Sequence, residues 1–404
     1  MGIIVQKYGG TSVADAQRVR NVAERILYTQ SKGHQMVIVV SAPAGKTDEL
    51  LALARGVAKK PSSREIDMLL ATGEQISIAL LAMAINDLGG QAISLTAAQV
   101  GIKTDDIHQK AKITEISSRR IEEELAKGQV VIVAGFQGIN SQNDITTLGR
   151  GGSDTTAVAL AASLKADLCE IYTDVDGVYT ADPRLVPNAK KLKEISYDEM
   201  LEMASLGTKV LHLRSVELGK KYNVPIHVRS SFNENPGTIV KGGALMEQGR
   251  VVVGVAHDNK ISKLTISKVD DKPGVAAKIF ARLAQSDINV DMIVQSASKE
   301  GLADISFTVN KEDALKAEEV ATSMIEELVA QSVERDDNKA KISIVGTGML
   351  TNPGVAAKMF SALANKKINI EMISTSDISI STVIPASDVE IAVQTLHSVF
   401  ELDK

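Results

Sequence analysis

Apolar positions in the first half of the chain fall into two rhythms that alternate. Short β-branched runs over residues 3–6, 36–40, 130–136 and 170–173 predict strands, while apolar residues at helical spacing over 14–31, 64–87 and 155–164 predict helices. The run Val130-Val131-Ile132-Val133-Ala134 is continuously apolar rather than alternating, which suits a strand covered on both faces. Strand and helix taking turns in this way predicts an α/β domain around a mostly parallel sheet. The pattern breaks over residues 231–250, a stretch rich in Gly, Asn and Pro that marks a domain boundary.

Beyond the boundary the pattern repeats itself. Residues 273–293 read PGVAAKIFARLAQSDINVDMI and residues 353–373 read PGVAAKMFSALANKKINIEMI, identical at 13 of 21 positions with an offset of 80. Each copy follows a short strand (263–267 and 341–345) and a Pro-Gly pair, then runs through a helix into a second strand. Pro at the start of a helix is tolerated because its missing N–H has no partner there anyway. Two copies predict two βα modules rather than a long solenoid.

Composition narrows the function classes. A chain of 404 residues is too long for one core and predicts two or three domains. A net charge of -5, with 3% aromatic residues and no Trp, argues against nucleic-acid binding through phosphate contacts and base stacking. The single cysteine, Cys169, lies in an apolar stretch and reads as core; it excludes an internal disulfide and fits a reducing cytoplasm. The N-terminus lacks the marks of a signal peptide, and no run of about 18 apolar residues is evident, so no membrane span is expected.

Three clusters carry candidate chemistry. Lys7-Tyr8-Gly9-Gly10-Thr11-Ser12 lies between a predicted strand and helix, where glycine amides and a helix N-terminus suit an anion. Its lysine precedes the glycines, unlike a Walker A loop, and a plain capped turn accounts for the pattern equally well. Thr147-Leu148-Gly149-Arg150-Gly151-Gly152-Ser153-Asp154 opens a helix of small residues. There Arg150 suits bidentate binding of a carboxylate, and Asp154 is either a plain N-cap or a group orienting a transferring phosphoryl. The third stretch, Thr173-Asp174-Val175-Asp176-Gly177-Val178-Tyr179-Thr180-Ala181-Asp182-Pro183-Arg184, follows a strand. Ligands of parallel sheets sit at strand carboxyl ends, so this is either a nucleotide loop or a solvated acidic turn. His34, His108, His212, His227, His257 and His397 show no metal-ligand spacing and receive no role, and no protein-built metal site is expected.

Taken together, the first two clusters, the stretch 172–184, Leu70-Ala71-Thr72-Gly73-Glu74 and Leu206-Gly207-Thr208-Lys209-Val210-Leu211 resemble the aspartate kinases of the amino-acid kinase superfamily, in order and spacing over the whole chain. The repeated modules resemble the tandem ACT domains of the same enzymes. The resemblance implies a three-layer α/β/α sandwich with a mainly parallel sheet over residues 1–240. A linker and first regulatory strand would follow over 241–260, then two ferredoxin-like α+β ACT domains over 261–336 and 337–404. It implies ATP as co-substrate with Mg²⁺ held mainly by phosphate oxygens and water, and L-aspartate as acceptor.

Residue by residue, the resemblance makes Lys7 and Asp154 catalytic and places Lys7, Tyr8, Gly9, Gly10, Thr173, Asp174, Tyr179, Arg184, Lys209 and Val210 at the nucleotide. Thr47, Glu74, Arg150 and Ser153 would hold aspartate. Asp271, Gly274, Val275, Ala276 and Gln295 in the first module would form effector sites for lysine, threonine or both, with Asn352, Asn369, Ile370 and Ser381 in the second. The modules would pair across subunits, giving a homodimer or higher assembly, and Met246 would serve as an internal start for a shorter regulatory subunit. A fused dehydrogenase domain is not expected, since the chain ends at Lys404 just after the second module. Departures from the family pattern include Pro43-Ala44-Gly45 before Thr47, Ala97-Ala98, Leu213 after His212, and Ser379 where a basic residue is common. The competing reading is a non-catalytic amino-acid sensor that keeps the kinase fold; the intact Lys7, Arg150 and Asp154 speak against it.

Overall fold

The computed structural model describes residues 2–208, 210–243, 251–297 and 301–404. The expectations placed on Lys209 and Met246 therefore fall outside the described residues. The chain forms two compact units, one of residues 1–178, 191–204 and 209–247 and the other of 179–190, 205–208 and 248–404.

In chain order the first unit runs β1 (Ile3–Tyr8), α1 (Ala16–Ser31), β2 (Gln35–Val40), α2 (Lys46–Val57), α3 (Ser63–Asp87), β3 (Ala92–Leu95), β4 (Ile102–Thr104) and β5 (Ile113–Ile116). It continues α4 (Arg119–Leu125), β6 (Val130–Ala134), β7 (Gln137–Ile139), β8 (Ile145–Thr147), α5 (Gly152–Ser163) and β9 (Leu168–Thr173). After the excursion into the second unit come β10 (Glu194–Ser196), α6 (Tyr197–Ser205), α7 (Leu213–Tyr222), β11 (Ile226–Ser230) and β12 (Thr238–Lys241). Eight strands form one sheet in the order β10-β12-β11-β9-β1-β2-β6-β3, parallel throughout except for the β11–β12 pair. A smaller sheet, β5-β4-β7-β8, was not anticipated because its strands have only three or four residues.

Helices cover this sheet in two layers. On one side α1 and α3 pack over β1, β2 and β6 through Val22, Ile26, Ile78, Leu81 and Ile85, which meet Ile4, Ile38 and Ile132. On the other side α5 lies across β1, β2 and β9 and carries α7. Nine residues of α5 are buried, and its Ala and Gly content lets the helix sit close to the strands. By length and composition alone α3, with a mean hydropathy of 1.7, is apolar enough to pass as a membrane span. Its inner face belongs to the core just described.

The second unit holds one six-stranded sheet ordered β14-β15-β13-β16-β18-β17, all antiparallel, built from β13 (Gly254–Asp270), β14 (Val290–Ala297), β15 (Leu302–Asn310), β16 (Ser332–Val345), β17 (Met372–Thr375) and β18 (Ser379–Pro385). Its helices are α8 (Val275–Gln285), α9 (Ala314–Thr322), α10 (Ile325–Leu328), α11 (Val355–Asn365) and α12 (Val389–Val399). Both long strands serve both modules. The first half of β13, Gly254 to Asp258, pairs with Val345 to Lys341 of β16 beside β18, whereas its second half pairs with β15 and with the first half of β16. The strand that precedes the first repeat thus completes the second module.

The repeated Pro-Gly works differently from the expectation. Pro273 and Pro353 precede the helices, and Gly274 and Gly354 are the N-caps, at φ 98° and 95°. That left-handed conformation is what only glycine adopts without cost, so the glycine, more than the proline, explains why the pair recurs.

Candidate active site and regulatory sites

Lys7 stands near the C-terminal end of β1 because the strand alternates: Gln6 and Tyr8 go to one face and Lys7 to the other, toward α5. There the ammonium Nζ meets Asp154 Oδ1 on the first turn of α5 at 2.6 Å, both side chains largely enclosed. The contact is a charge pair off the hydrogen-bond direction, and Asp154 Oδ1 has no aligned donor. Gly10 is required by a close approach: a Cβ there would lie 2.6 Å from the Ala42 carbonyl oxygen. The Gly10 carbonyl in turn accepts from Ala44 N–H at 3.1 Å, joining the first glycine turn to the loop after β2.

That loop meets α3. A Cβ on Gly73 would press on Ala42 at 2.7 Å, and the next residue, Glu74, accepts from Ala42 N–H at 3.0 Å. Glu74 is buried, and its Oε2 has no partner. Burial raises its pKa to about 7, only partly offset by the backbone donors. A buried carboxylate with a free oxygen is costly unless a cation arrives, so it fits an ammonium group.

The second glycine turn is held from behind. Gly149 and Gly151 take φ of 77° and 71°, and a Cβ on Gly151 would overlap the His212 ring at 2.1 Å. Arg214 of α7 donates to the Leu148 carbonyl at 2.7 Å and the Ala111 carbonyl at 3.0 Å. Asp67 of α3, fully buried, accepts from Thr147 Oγ1 at 2.6 Å and Gln109 N–H at 3.0 Å, and meets His108 Nδ1 at 2.7 Å. With its base so fixed, the turn leaves Arg150 exposed and buries Ser153 against Gly135.

Sequence reasoning missed Asp67, His108, Arg214 and His212. The signal for Asp67 was present: it precedes Glu74 by seven residues, so two acids share one face of an otherwise apolar helix. His397 also has a partner, Thr180 Oγ1 at 2.9 Å, and His227 meets Glu170 at 3.5 Å, so several of the histidines given no role are tied into the structure.

Other expected site residues are placed as follows. Tyr8 is fully buried, its ring stacked on Tyr172 at 4.7 Å with its hydroxyl on Gln6, so only its backbone is available to a ligand. Thr47 is exposed on the first turn of α2, and among the described residues no hydrogen bond ties it to Glu74 or Arg150. Thr173 donates to Asp174 at 3.1 Å at the end of β9, and its carbonyl accepts from Ser231 N–H. Val210 is half-buried just before α7.

Tyr179 and Arg184 belong to the second unit, unlike Thr173 and Asp174. In that unit Ala181 and Val186 join the core of the second module, the Thr180 carbonyl accepts from Val255 N–H, and Gln394 of α12 donates to the Leu185 carbonyl. Arg184 is exposed and paired with Asp182 at 2.7 Å, which lowers the Asp182 pKa. Among the described residues no three His, Cys, Asp or Glu side chains converge to hold a metal.

In the first module Gln295 of β14 donates to Asp271 Oδ1 at 3.1 Å across the mouth of the turn, with Gly274, Val275 and Ala276 at the following helix start. In the second, Asn352 instead bonds the Gly348 carbonyl at 2.8 Å, Asn369 is exposed, Ile370 packs on the core, and Ser381 is buried against Ser343 at 2.7 Å. The two modules exchange charges. Lys263 of the first meets Glu371 of the second at 3.0 Å, and Lys341 of the second pairs with Asp291 of the first. Burial alone would raise Glu371, but Lys339, at 2.6 Å, and Lys263 outweigh it and hold its pKa down. Asp291 and Glu371 are equivalent positions of the repeat, 80 apart, so the exchange was legible as a pattern though not as a contact.

The three-layer sandwich with its glycine turns, followed by two α+β modules built on one sheet, is the architecture of the amino acid kinase class with ACT modules. The amino acid kinase family pattern matches residues 2–230, and the ACT domain pattern matches 267–323 and 342–400. The chain is 51% identical to the aspartokinase of Mycolicibacterium smegmatis over 407 residues, covering 100% of this chain and 97% of that one. It is likewise 51% identical to aspartokinase 2 of Bacillus subtilis over 404 residues, covering 100% and 99%. Escherichia coli aspartokinase III, solved with aspartate and ADP, superposes with a TM-score of 0.81 at 28% identity, covering 98% of this chain and 99% of that one. The chain belongs to the aspartokinase family and is an aspartate kinase.

Proposed function

We propose that this enzyme transfers the γ-phosphoryl group of ATP to the β-carboxylate of L-aspartate, giving 4-phospho-L-aspartate at the head of the lysine, threonine and methionine branch, in the cytoplasm. The observation that carries the reading is the pairing of two unfinished charges. The Lys7 ammonium sits beside Asp154 next to the glycine turn, and Glu74 has a buried carboxylate oxygen with no partner.

Attack of one anion on another needs the reactants brought together and their repulsion neutralised; little covalent help is required. Lys7, with the Gly9 and Gly10 amides, takes the phosphates. Asp154 holds the Lys7 ammonium in place before nucleotide arrives and positions the reacting groups afterwards. Arg150 and Ser153 take a carboxylate of aspartate, and Glu74 takes its ammonium. Thr173, Asp174, Lys209 and Val210 complete the nucleotide site and Thr47 the acceptor site. A Mg²⁺ ion carried in by the nucleotide would be held mainly by phosphate oxygens and water, with Asp154, beside Lys7, the acid that would help hold it. When bound, that ion supplies further neutralisation of the phosphate charge.

Lysine, threonine or both act through the turns at Asp271–Gln295 and Asn352–Ser381. The E. coli relative has also been solved with lysine and aspartate, at a TM-score of 0.80 and 28% identity. Pairing of the modules across subunits is supported by Ile293 and Ile373, equivalent positions exposed on the edge strands β14 and β17. ADP formation by the purified protein with and without aspartate, then with lysine and threonine singly and together, tests the reading. Aspartate-dependent turnover suppressed by either amino acid is expected. Nucleotide binding without aspartate-dependent turnover would leave a sensor in its place.

A further inference from the structure

The helical layer formed by α5 and α7 is not closed on its outer side. Thr155, Ala159 and Ala162 recur at helical spacing on one face of α5, and Arg214, Leu218 and Tyr222 do so on one face of α7. With the β5 segment they enclose a cleft of about 550 Å³. Small-molecule sites span ~300–1,000 Å³, so the volume is that of a binding pocket. Thr155 and Ala159 are buried and form the floor, while Leu218 and Tyr222 on one side and Ile113 and Ile116 on the other form apolar walls.

Charge decides what the cleft suits. Its lining holds three cations, Lys112, Arg214 and Lys221, and two acids, Glu115 and Glu217. Glu115 is neutralised from outside the cleft by Lys103 at 2.9 Å. Lys221 has only the Tyr222 ring, 5.2 Å from its ammonium, and among the described residues Lys112 has no ion-pair partner. Arg214 gives its protons to two carbonyls, not to a carboxylate, and keeps its full charge. Three cations against the one remaining acid leave an excess of positive charge beside apolar walls. An anion with an apolar body satisfies both.

The position of the cleft gives an occupant leverage. Thr155 Oγ1 in the floor donates to the Gly151 carbonyl at 3.0 Å, and Arg214 in the wall donates to the Leu148 carbonyl at 2.7 Å. These two carbonyls flank Arg150 in the glycine turn. Whatever draws the guanidinium into the cleft takes it from the base of that turn.

We propose that this cleft binds a small hydrophobic organic anion, and that the occupant, by engaging Arg214, loosens the glycine turn and weakens aspartate binding. The second half rests on the reading of Arg150 and Ser153 as aspartate ligands; the first stands on the cleft alone.

The probe is 1-anilinonaphthalene-8-sulfonate, followed by fluorescence in the full-length protein with the nucleotide site filled by MgADP. One saturable site per chain is expected, with affinity at least about tenfold above that for uncharged N-phenyl-1-naphthylamine, the worth of a charge-assisted contact. Ala162→Phe fills the floor and should abolish binding of both probes. Lys112→Glu combined with Lys221→Glu reverses the rim and should weaken only the sulfonate, with the thermal midpoint unmoved. In the ADP-formation assay the sulfonate should raise the aspartate KM at least about fivefold in the wild type and leave Ala162→Phe unaffected. Binding that ignores both variants, or equal affinity for the two probes, would overturn the site. So would a signal lost as protein concentration rises, which would give the cleft to a second copy of the chain. An unmoved KM with binding intact would overturn the coupling. Binding is read without turnover, so a failure of the kinase reading stays distinguishable from a failure of this one.

Discussion

The two units of this molecule bury charge for opposite purposes. In the second unit Lys263, Lys339, Lys341, Asp291 and Glu371 are paired with one another across the two modules. In the first, Glu74 Oε2 has no partner and Lys7 meets Asp154 out of hydrogen-bond alignment. Closed pairs fix geometry, because breaking one strands a charge in a poor solvent. Open groups store an unfavourable state that a ligand relieves. The difference separates architecture from chemistry, and within the first unit the bonded Asp67 falls on the side of architecture.

Changes at the open groups should therefore remove activity and spare the fold, and changes at the closed pairs should do the reverse. The largest effect is expected at Lys7: Lys7→Ala should lower kcat by about 10³-fold or more, the scale of losing a charge aimed at the transition state, with the thermal midpoint little moved. Steady-state kinetics showing only a raised aspartate KM would break the comparison. Next is Glu74→Gln, which keeps the shape and should raise the aspartate KM by roughly 10²-fold, the cost of a lost charge-assisted contact, while the ATP KM stays put.

Asp67→Asn sharpens the picture from the side of position. It weakens the bonds to Thr147, Gln109 and His108 behind the glycine turn and should reduce kcat/KM for aspartate by about tenfold, consistent with small misplacements of a binding group. Asp67→Glu should not restore it, since the longer side chain displaces the same partners. An ATP KM that moved as far as the aspartate KM would show general loosening instead. The smallest effect on activity belongs to the closed pairs. Lys341→Met leaves Asp291 unpaired and should destabilise the second unit by about 1–3 kcal/mol, as Asp291 is half-exposed. Basal turnover should be unchanged, read by thermal melting beside an ADP assay.

How much of this was legible in the sequence follows the same line. The continuous apolar runs at Val37–Val40 and Val130–Ala134 announced a covered parallel sheet because burial on both faces writes itself into consecutive residues. The glycine turns were visible because φ near 70° and a contact below 3 Å admit little but glycine. The support behind them was invisible. Asp67, His108 and Arg214 come from three separate elements, and their meeting depends on the packing of α3 and α7 around β8. The place of the Tyr8 side chain was hidden for a related reason: strand alternation sends its ring to the core and leaves only its backbone to a ligand. In the repeat, the shared helix was plain, whereas the crossing of β13 into the second module required the register of the sheet.

Glu74 offers the most direct test of the central claim. Burial raises its folded pKa to about 7, so the free enzyme holds a proton there on part of its molecules near neutral pH, and the group must ionise to receive an ammonium group. Aspartate binding near pH 7 should therefore release protons from this group, and the aspartate affinity should weaken as pH falls. The same raised pKa means that this group's contribution to folding stability declines as pH rises from the ordinary carboxylate range through about 7. The measurement is calorimetric titration of aspartate at pH 7 in two buffers of different ionisation enthalpy. A buffer-dependent heat in the wild type that disappears in Glu74→Gln is the predicted result; equal buffer dependence in both proteins, or none in the wild type, would contradict the account.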